Sequence, residues 1–233
     1  MRRNKAIEFL KNLLYPADLS CYLCEKELPG GEKSDKHLCQ ACLDSIAMID
    51  IPIDADDTIV HAACLYEETV REIVLSEKDS GKPYLCHVMA AFLLDVVGKI
   101  GDFDVLFYVP DYKKRRFFRG YDHMKRVADL LAEACKKPVG TGLIRIKESA
   151  DQTTLSKEER MQNVKDNFAY AGEDLTGKRV LLVDDVVTTG ATLKACTEAL
   201  LTKNPADILY ATFAVSPILY GESKKKQEKR ENR

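Results

Sequence analysis

The sequence predicts an α/β fold: a mainly parallel sheet flanked by helices, preceded by a small N-terminal cysteine module. Three observations lead there. Strand patterns alternate with helical patterns from residue 58 onward. Residues 179–183 form a run of Val and Leu, as a strand covered on both faces requires. Two Cys-x-x-Cys pairs lie close together before residue 50.

The chain has 233 residues, room for one mid-sized domain and a small module. A hydrophobic fraction of 45% with 31% charged residues suits a folded chain, and with 12 Gly and 8 Pro no low-complexity class applies. The net charge of −2 excludes a polycation, so any contact with nucleic acid needs a local patch. Charged and polar residues interrupt the apolar stretch 6–16, and no small-residue cleavage site follows it, so no signal peptide is expected. No segment is expected to supply the roughly 18 apolar residues of a membrane helix. The expectation is therefore a cytoplasmic protein without membrane insertion.

Each element follows from local pattern. Residues 6–15 place Ile7, Leu10, Leu13 and Leu14 on one helical face, and Pro16 stops the helix. Residues 51–57 are acidic and contain Pro52, so they read as a connector. A strand is expected at 58–66, a helix at 68–77, a turn at 80–83 and an apolar helix at 84–99. A second strand, 103–109, ends at Pro110. Helical periodicity returns at 121–135 through Met124, Val127, Ala128, Leu131 and Ala134. A short strand at 143–146 precedes a polar stretch, 147–166, with no strand pattern. The turn 174–178 leads into the strand 179–183, a helix at 193–201 and a last strand at 208–215. The tail 223–233 has six basic and two acidic residues and reads as disordered.

Cys21, Cys24, Cys39 and Cys42 make two pairs separated by 14 residues. Each pair can offer two thiolates to one ion, and four thiolates suit a closed tetrahedral Zn²⁺ site. A closed site is structural, and so small a module needs its metal to fold. Cys64, Cys86, Cys135 and Cys196 sit among apolar residues and read as core thiols. A disulfide framework is not expected without a secretion signal.

The segment Asp184-Asp185-Val186-Val187-Thr188-Thr189-Gly190-Ala191-Thr192 carries the chemistry. A buried strand runs into two carboxylates, then into hydroxylated residues and a glycine, then into a helix. A helix N-terminus offers unpaired N–H groups and partial positive charge to an anion. Gly190 lets the backbone approach that anion closely, and the three threonines add hydroxyl donors. The acids stand at the carboxyl end of the strand, where open α/β sheets bind ligands. They would face vicinal hydroxyls, a divalent cation or a developing cationic carbon. A ribose 5-phosphate meets all of these needs. No Gly-Lys-Ser/Thr follows, which excludes a Walker loop, and no dinucleotide glycine pattern is present.

This segment resembles the motif by which type I phosphoribosyltransferases bind phosphoribosyl pyrophosphate (PRPP). The resemblance implies that Asp184 and Asp185 meet the ribose hydroxyls as catalytic residues. It implies that Val187, Thr188, Thr189, Gly190, Ala191 and Thr192 hold the 5′-phosphate. Three further segments narrow it: 104–110 leading into 113–121; Gln152 followed by 155–160, Asn163 and Phe168; and the two Cys-x-x-Cys pairs. Together they resemble the ComF family of competence-associated phosphoribosyltransferase-like proteins.

That resemblance implies a type I phosphoribosyltransferase-like domain over 58–221. It would follow an N-terminal helix and zinc module over 1–50 and a linker over 51–57, and precede a basic tail over 222–233. It implies that Lys113, Lys114, Arg115, Arg116, Arg119 and Gly120 grip pyrophosphate, with Mg²⁺ accompanying PRPP. It places 148–167 as a mobile hood in which Gln152 and Arg160 belong to the lid. It also implies association with a competence helicase and single-stranded DNA during DNA uptake. A basic turn can be merely solvated, but its position after a core strand favours a functional role, and with Phe117, Phe118 and Tyr121 the run reads as well as a nucleic-acid patch as a pyrophosphate grip. Asp79 stands where the family has an aromatic, and Asp122-His123 where it has Asn-Gln. His61, His87 and His123 all read as ordinary structural histidines. Two functions follow: transfer of phosphoribose to an unknown acceptor, or a non-enzymatic adaptor for DNA uptake with a PRPP-sensing or vestigial site.

Overall fold

The computed structural model describes residues 20–28, 34–56, 58–79, 82–111, 122–146 and 167–231. The helix expected at 6–15 lies outside them. The described elements are α1 (Gln40–Asp44), β1 (Ile53–Ala55), β2 (Thr58–Leu65), α2 (Glu68–Asp79), a 3₁₀ turn (Pro83–Leu85), α3 (Cys86–Ile100), β3 (Val105–Tyr108) and α4 (His123–Cys135). Then come β4 (Leu143–Arg145), β5 (Phe168–Tyr170), β6 (Arg179–Val187), α5 (Ala191–Leu201), β7 (Asp207–Val215) and α6 (Pro217–Glu231).

The five-stranded sheet has the order β1-β2-β7-β6-β3. β2, β7, β6 and β3 run parallel, and β1 adds antiparallel at one edge. Parallel pairing needs crossovers, and the intervening helices supply them on both faces. Along β6, Leu181 and Val183 pack into the layer holding α2, α3 and α4. Val180 and Leu182 pack into the opposite layer, holding α5 and the separate antiparallel pair β4–β5. Burial on both sides explains why β6 reads as an uninterrupted apolar run.

Three expectations change. The connector 51–57 contains β1, whose Ile53 and Ala55 are buried. Its side chains alternate toward the core, and the antiparallel register Ile53↔Val60 makes it an edge strand. The basic tail is helical from Pro217 to Glu231, not disordered. Leu219 packs into the α5 layer, Ser223 Oγ accepts the N–H of Asp54 at 3.1 Å, and Lys226 and Arg230 pair with Asp54. Finally, Pro83–Ile100 reaches 18 residues with a mean hydropathy of 1.4, long and apolar enough to cross a membrane. Val88, Met89, Phe92 and Leu93 of this stretch are buried against the sheet layer, as in a core helix.

The cysteine segment shares that core. Cys21, Leu23, Leu28, Leu38, Cys39 and Ile46 pack with α2 and α3. Lys36 fastens the contact: its ammonium donates to the Ala91 carbonyl at 2.9 Å and pairs with Asp95 at 2.6 Å.

Candidate functional site

The site is built on the end of β6 and the turn into α5. β6 extends through Val187, so Asp184 and Asp185 are strand residues, not loop residues. Successive side chains in a strand point to opposite faces. Asp184 aligns with Thr212 and lies on the α5 side, where its charge, after burial, helps push the Cys196 thiol well above the usual range. Asp185 points into the layer of α2 and α4, where it pairs with Lys78 and His123.

Those partners form a buried network. His123 Nε2 lies 2.9 Å from Asp185 Oδ2, and His123 Nδ1 lies 3.1 Å from Asp111 Oδ2. With a carboxylate at each ring nitrogen, the imidazole donates from both only as the imidazolium. Burial opposes that charge, but Asp111 and Asp185 outweigh it and raise the His123 pKa to about 9. Lys78 is likewise raised, burial being overcome by the charge of Asp185. Burial would raise Asp185, but Lys78 and His123 hold it well below the usual carboxylate range. Burial and the adjacent Asp185 charge push Asp184 up to about 8. The two acids therefore ionise apart, as carboxylates this close must.

Asp122 caps α4, accepting the N–H of Lys125 at 3.3 Å. It lies with Asp111 and His123 in one buried group of metal-capable side chains, whose ligand atoms fall within 4.8 Å of one another. Sequence reasoning assigned His123 a structural role and did not single out Lys78 or Asp111 for one. Lys78 ends α2, and no sequence spacing links it to β6. The signals were two departures from the resembled family: Asp122-His123 in place of Asn-Gln, and Asp111-Tyr112 after Pro110 in place of a more apolar pair.

Beyond the acids, Val187 is buried, Thr188 is exposed, and Thr189, Ala191 and Thr192 are half-buried around the first turn of α5. Gly190 has φ +86°, and a Cβ there would stand 3.0 Å from the Cβ and carbonyl oxygen of Ala55. Only glycine fits both constraints. Thr189 Oγ1 accepts the Ala191 N–H at 3.4 Å, and Ser216 donates its N–H to the Val187 carbonyl at 2.9 Å. Lys194 pairs with Asp56 at 2.7 Å, tying α5 to the β1–β2 turn. The fold thus brings Asp184 and Asp185 together with Val187, Thr188, Thr189, Gly190, Ala191 and Thr192. The basic-loop residues Lys113, Lys114, Arg115, Arg116, Arg119 and Gly120, and the lid residues Gln152 and Arg160, lie outside the described residues.

The fold also gathers Cys21, Cys24, Cys39 and Cys42, with all four sulfurs within 4.8 Å of one another. Cys21 and Cys24 occupy a tight turn in which Cys21 donates its N–H to the Lys26 carbonyl at 2.9 Å. Cys39 stands at the N-terminus of α1, one turn before Cys42. Cys24 and Cys39 sulfurs are 3.7 Å apart. A tetrahedron with Zn–S bonds of about 2.3 Å has edges of about 3.8 Å, so the donor set fits a zinc ribbon. His37 stacks on Tyr22, with ring centroids 4.9 Å apart.

The chain is similar to phosphoribosyltransferases and to competence proteins. The family model described as "Phosphoribosyl transferase domain" matches residues 119–232. Competence protein ComFC of Bacillus subtilis is 26% identical over 207 residues, covering 83% of this chain and 82% of that protein. Competence protein F of Haemophilus influenzae is 35% identical over 95 residues, covering 40% of this chain but only 42% of that protein. An adenine phosphoribosyltransferase structure aligns with TM-score 0.39 at 20% identity, covering 61% of this chain and 76% of that one. The residues matched by the family model include β6, the Gly190 turn, α5 and β7 of the mainly parallel sheet between helices, and a cysteine cluster lies near the N-terminus. Among the curated relatives, the likeness is to these two competence proteins.

Proposed function

We propose that this chain binds PRPP with Mg²⁺ at the end of β6 and serves as a phosphoribosyltransferase-like protein in DNA uptake. One observation carries the reading: two carboxyl groups and a glycine-threonine turn meet where the central parallel strand enters α5. The N-terminus of α5 and the hydroxyls of Thr188, Thr189 and Thr192 receive the 5′-phosphate. The acidic pair Asp184 and Asp185 forms the floor for the ribose. The basic residues 113–116, Arg119 and Gly120 receive the pyrophosphate, and Gln152 and Arg160 serve as lid residues. Mg²⁺, an oxygen-seeking cation, would offset the charge of the pyrophosphate.

In a transfer reaction, an acceptor nucleophile bonds to C1 of the ribose as the C1–O bond to pyrophosphate breaks. The electron pair leaves with pyrophosphate. Carboxylate charge near C1 stabilises the oxocarbenium-like carbon, and cations stabilise the leaving group. Structural Zn²⁺ held by Cys21, Cys24, Cys39 and Cys42 would maintain the N-terminal module. A cytoplasmic location belongs to the same reading.

Calorimetric titration of PRPP with Mg²⁺ tests it. The expected result is binding by the wild type and its loss in Asp184→Asn/Asp185→Asn. A folded wild type that does not bind removes the enzyme reading.

A second reading follows from the names of the two competence relatives and the basic residues of α6. It makes the chain a non-enzymatic adaptor for single-stranded DNA or a competence helicase. Salt-dependent binding of single-stranded DNA, weakened by Lys224→Ala/Lys225→Ala/Lys229→Ala, would support it.

A further inference from the structure

We infer that the edge strand β1 braces the phosphate turn, and that Asp54 and Asp56 are positioning residues for an anion that neither of them touches. For its ligand the inference rests on the PRPP reading, and it gives β1 a duty which that reading leaves open.

The turn needs outside support. Gly190 sits at φ +86°, and the Thr189 hydroxyl meets the Ala191 N–H only at 3.4 Å. A glycine turn has many alternative conformations, and these must be given up before its N–H groups converge on an anion. Support reaches it from two sides. On one, Ser216 donates its N–H to the Val187 carbonyl at 2.9 Å and its hydroxyl to the Thr188 carbonyl at 3.4 Å. On the other, β1 ends against the turn, with the Cβ and carbonyl oxygen of Ala55 each 3.0 Å from where a Gly190 Cβ would stand. One residue further, Asp56 takes the Lys194 ammonium at 2.7 Å, in the first turn of α5.

α6 secures both sides. Ser216, just before the helix, accepts the Leu219 N–H at 3.3 Å, as a capping residue does. Two turns further along, the Ser223 hydroxyl takes the Asp54 N–H at 3.1 Å. Lys226 and Arg230 then flank the Asp54 carboxylate at 3.2 and 3.5 Å. Charge makes the same point. Bare carboxylates beside an anion site would repel the anion. Here Asp54 is matched by Lys226 and Arg230, and Asp56 by Lys194. Acids placed in this way serve the geometry of the chain.

The test is calorimetry of ribose 5-phosphate with the full chain, alongside amide hydrogen exchange of the unliganded protein. On charge alone, Asp54→Asn and Asp56→Asn should tighten binding, because each removes a negative charge near the phosphate. The brace predicts the opposite sign: each variant weakens binding about threefold, the scale that one exposed ion pair supplies. Exchange should quicken at 187–193 and stay unchanged at 105–108, which a general loss of stability would not produce. Tighter or unchanged binding by either folded variant overturns the inference, as does exchange that quickens equally in both segments.

Should Asp54→Asn fail to fold, Lys226→Ala/Arg230→Ala removes its two exposed partners and carries the same expectation for exchange. If the wild type binds no ribose 5-phosphate, the PRPP reading fails and exchange alone decides the brace. Quickened exchange confined to 187–193 then upholds it, and unchanged exchange removes it.

Discussion

At the scale of single residues, the site is a problem of placing charge where water is scarce. Asp185 holds two cations because three charges in one buried network cost less than any one of them left alone. Breaking such a pair from one side costs about 3–5 kcal/mol. Lys78→Ala should therefore lower unfolding stability by that order, measured by urea denaturation. His123 sets a pH dependence. Its folded pKa, about 9, lies above its ordinary value near 6.5, so its contribution is complete below about 6.5. That contribution drains away as pH rises through about 9. Melting temperature should fall over that window, and His123→Gln should flatten the fall. Gly190→Ala should cost about 1–2 kcal/mol from the left-handed φ alone, with the Ala55 clash added. The Asp-Asp-x-x-Thr-Thr-Gly-x-Thr spacing was legible in the sequence because strand, turn and helix N-terminus are consecutive. The Lys78–Asp185–His123–Asp111 chain was not. Its members come from four separate places in the chain, and only the packing of α2 and α4 on β6 brings them together.

At the scale of elements, local pattern and tertiary context part company at the sheet's margins. The central strands read clearly because burial on both faces imposes a run of Val and Leu. β1 did not, since three residues containing Asp54 and flanked by Pro52 give too little alternation to distinguish a strand from a connector. α6 was hidden for a related reason. Its cations suggest a solvated tail, and its order depends on Leu219, Ser223 and Asp54 contacts beyond the reach of composition. The Lys36 contact between the cysteine segment and α3 offers a direct check. Lys36→Ala removes a buried donor from the Ala91 carbonyl and should cost about 1–3 kcal/mol. Limited proteolysis should then cut the 20–46 region faster than in the wild type.

At the scale of the whole molecule, the four-cysteine segment and the α/β sheet share one core, so they should not melt separately. Chelation of zinc from the loaded protein is expected to lower a single cooperative transition. Two separated transitions in calorimetry would contradict that expectation. The division of the chain suggested by composition changes is therefore a division of sequence style more than of packing. The margins of the sheet carry a last consequence. An open strand edge is a template on which another chain can assemble. Here β3 is covered by the 138–140 segment, where Leu106 bonds Pro138 and Gly140 in turn. At the other margin, the Ser223 hydroxyl takes up the outward N–H of Asp54. The C-terminal helix is thus a guard against fibre-like self-association, and a chain truncated before Pro217 should lose solubility on concentration before it loses its fold.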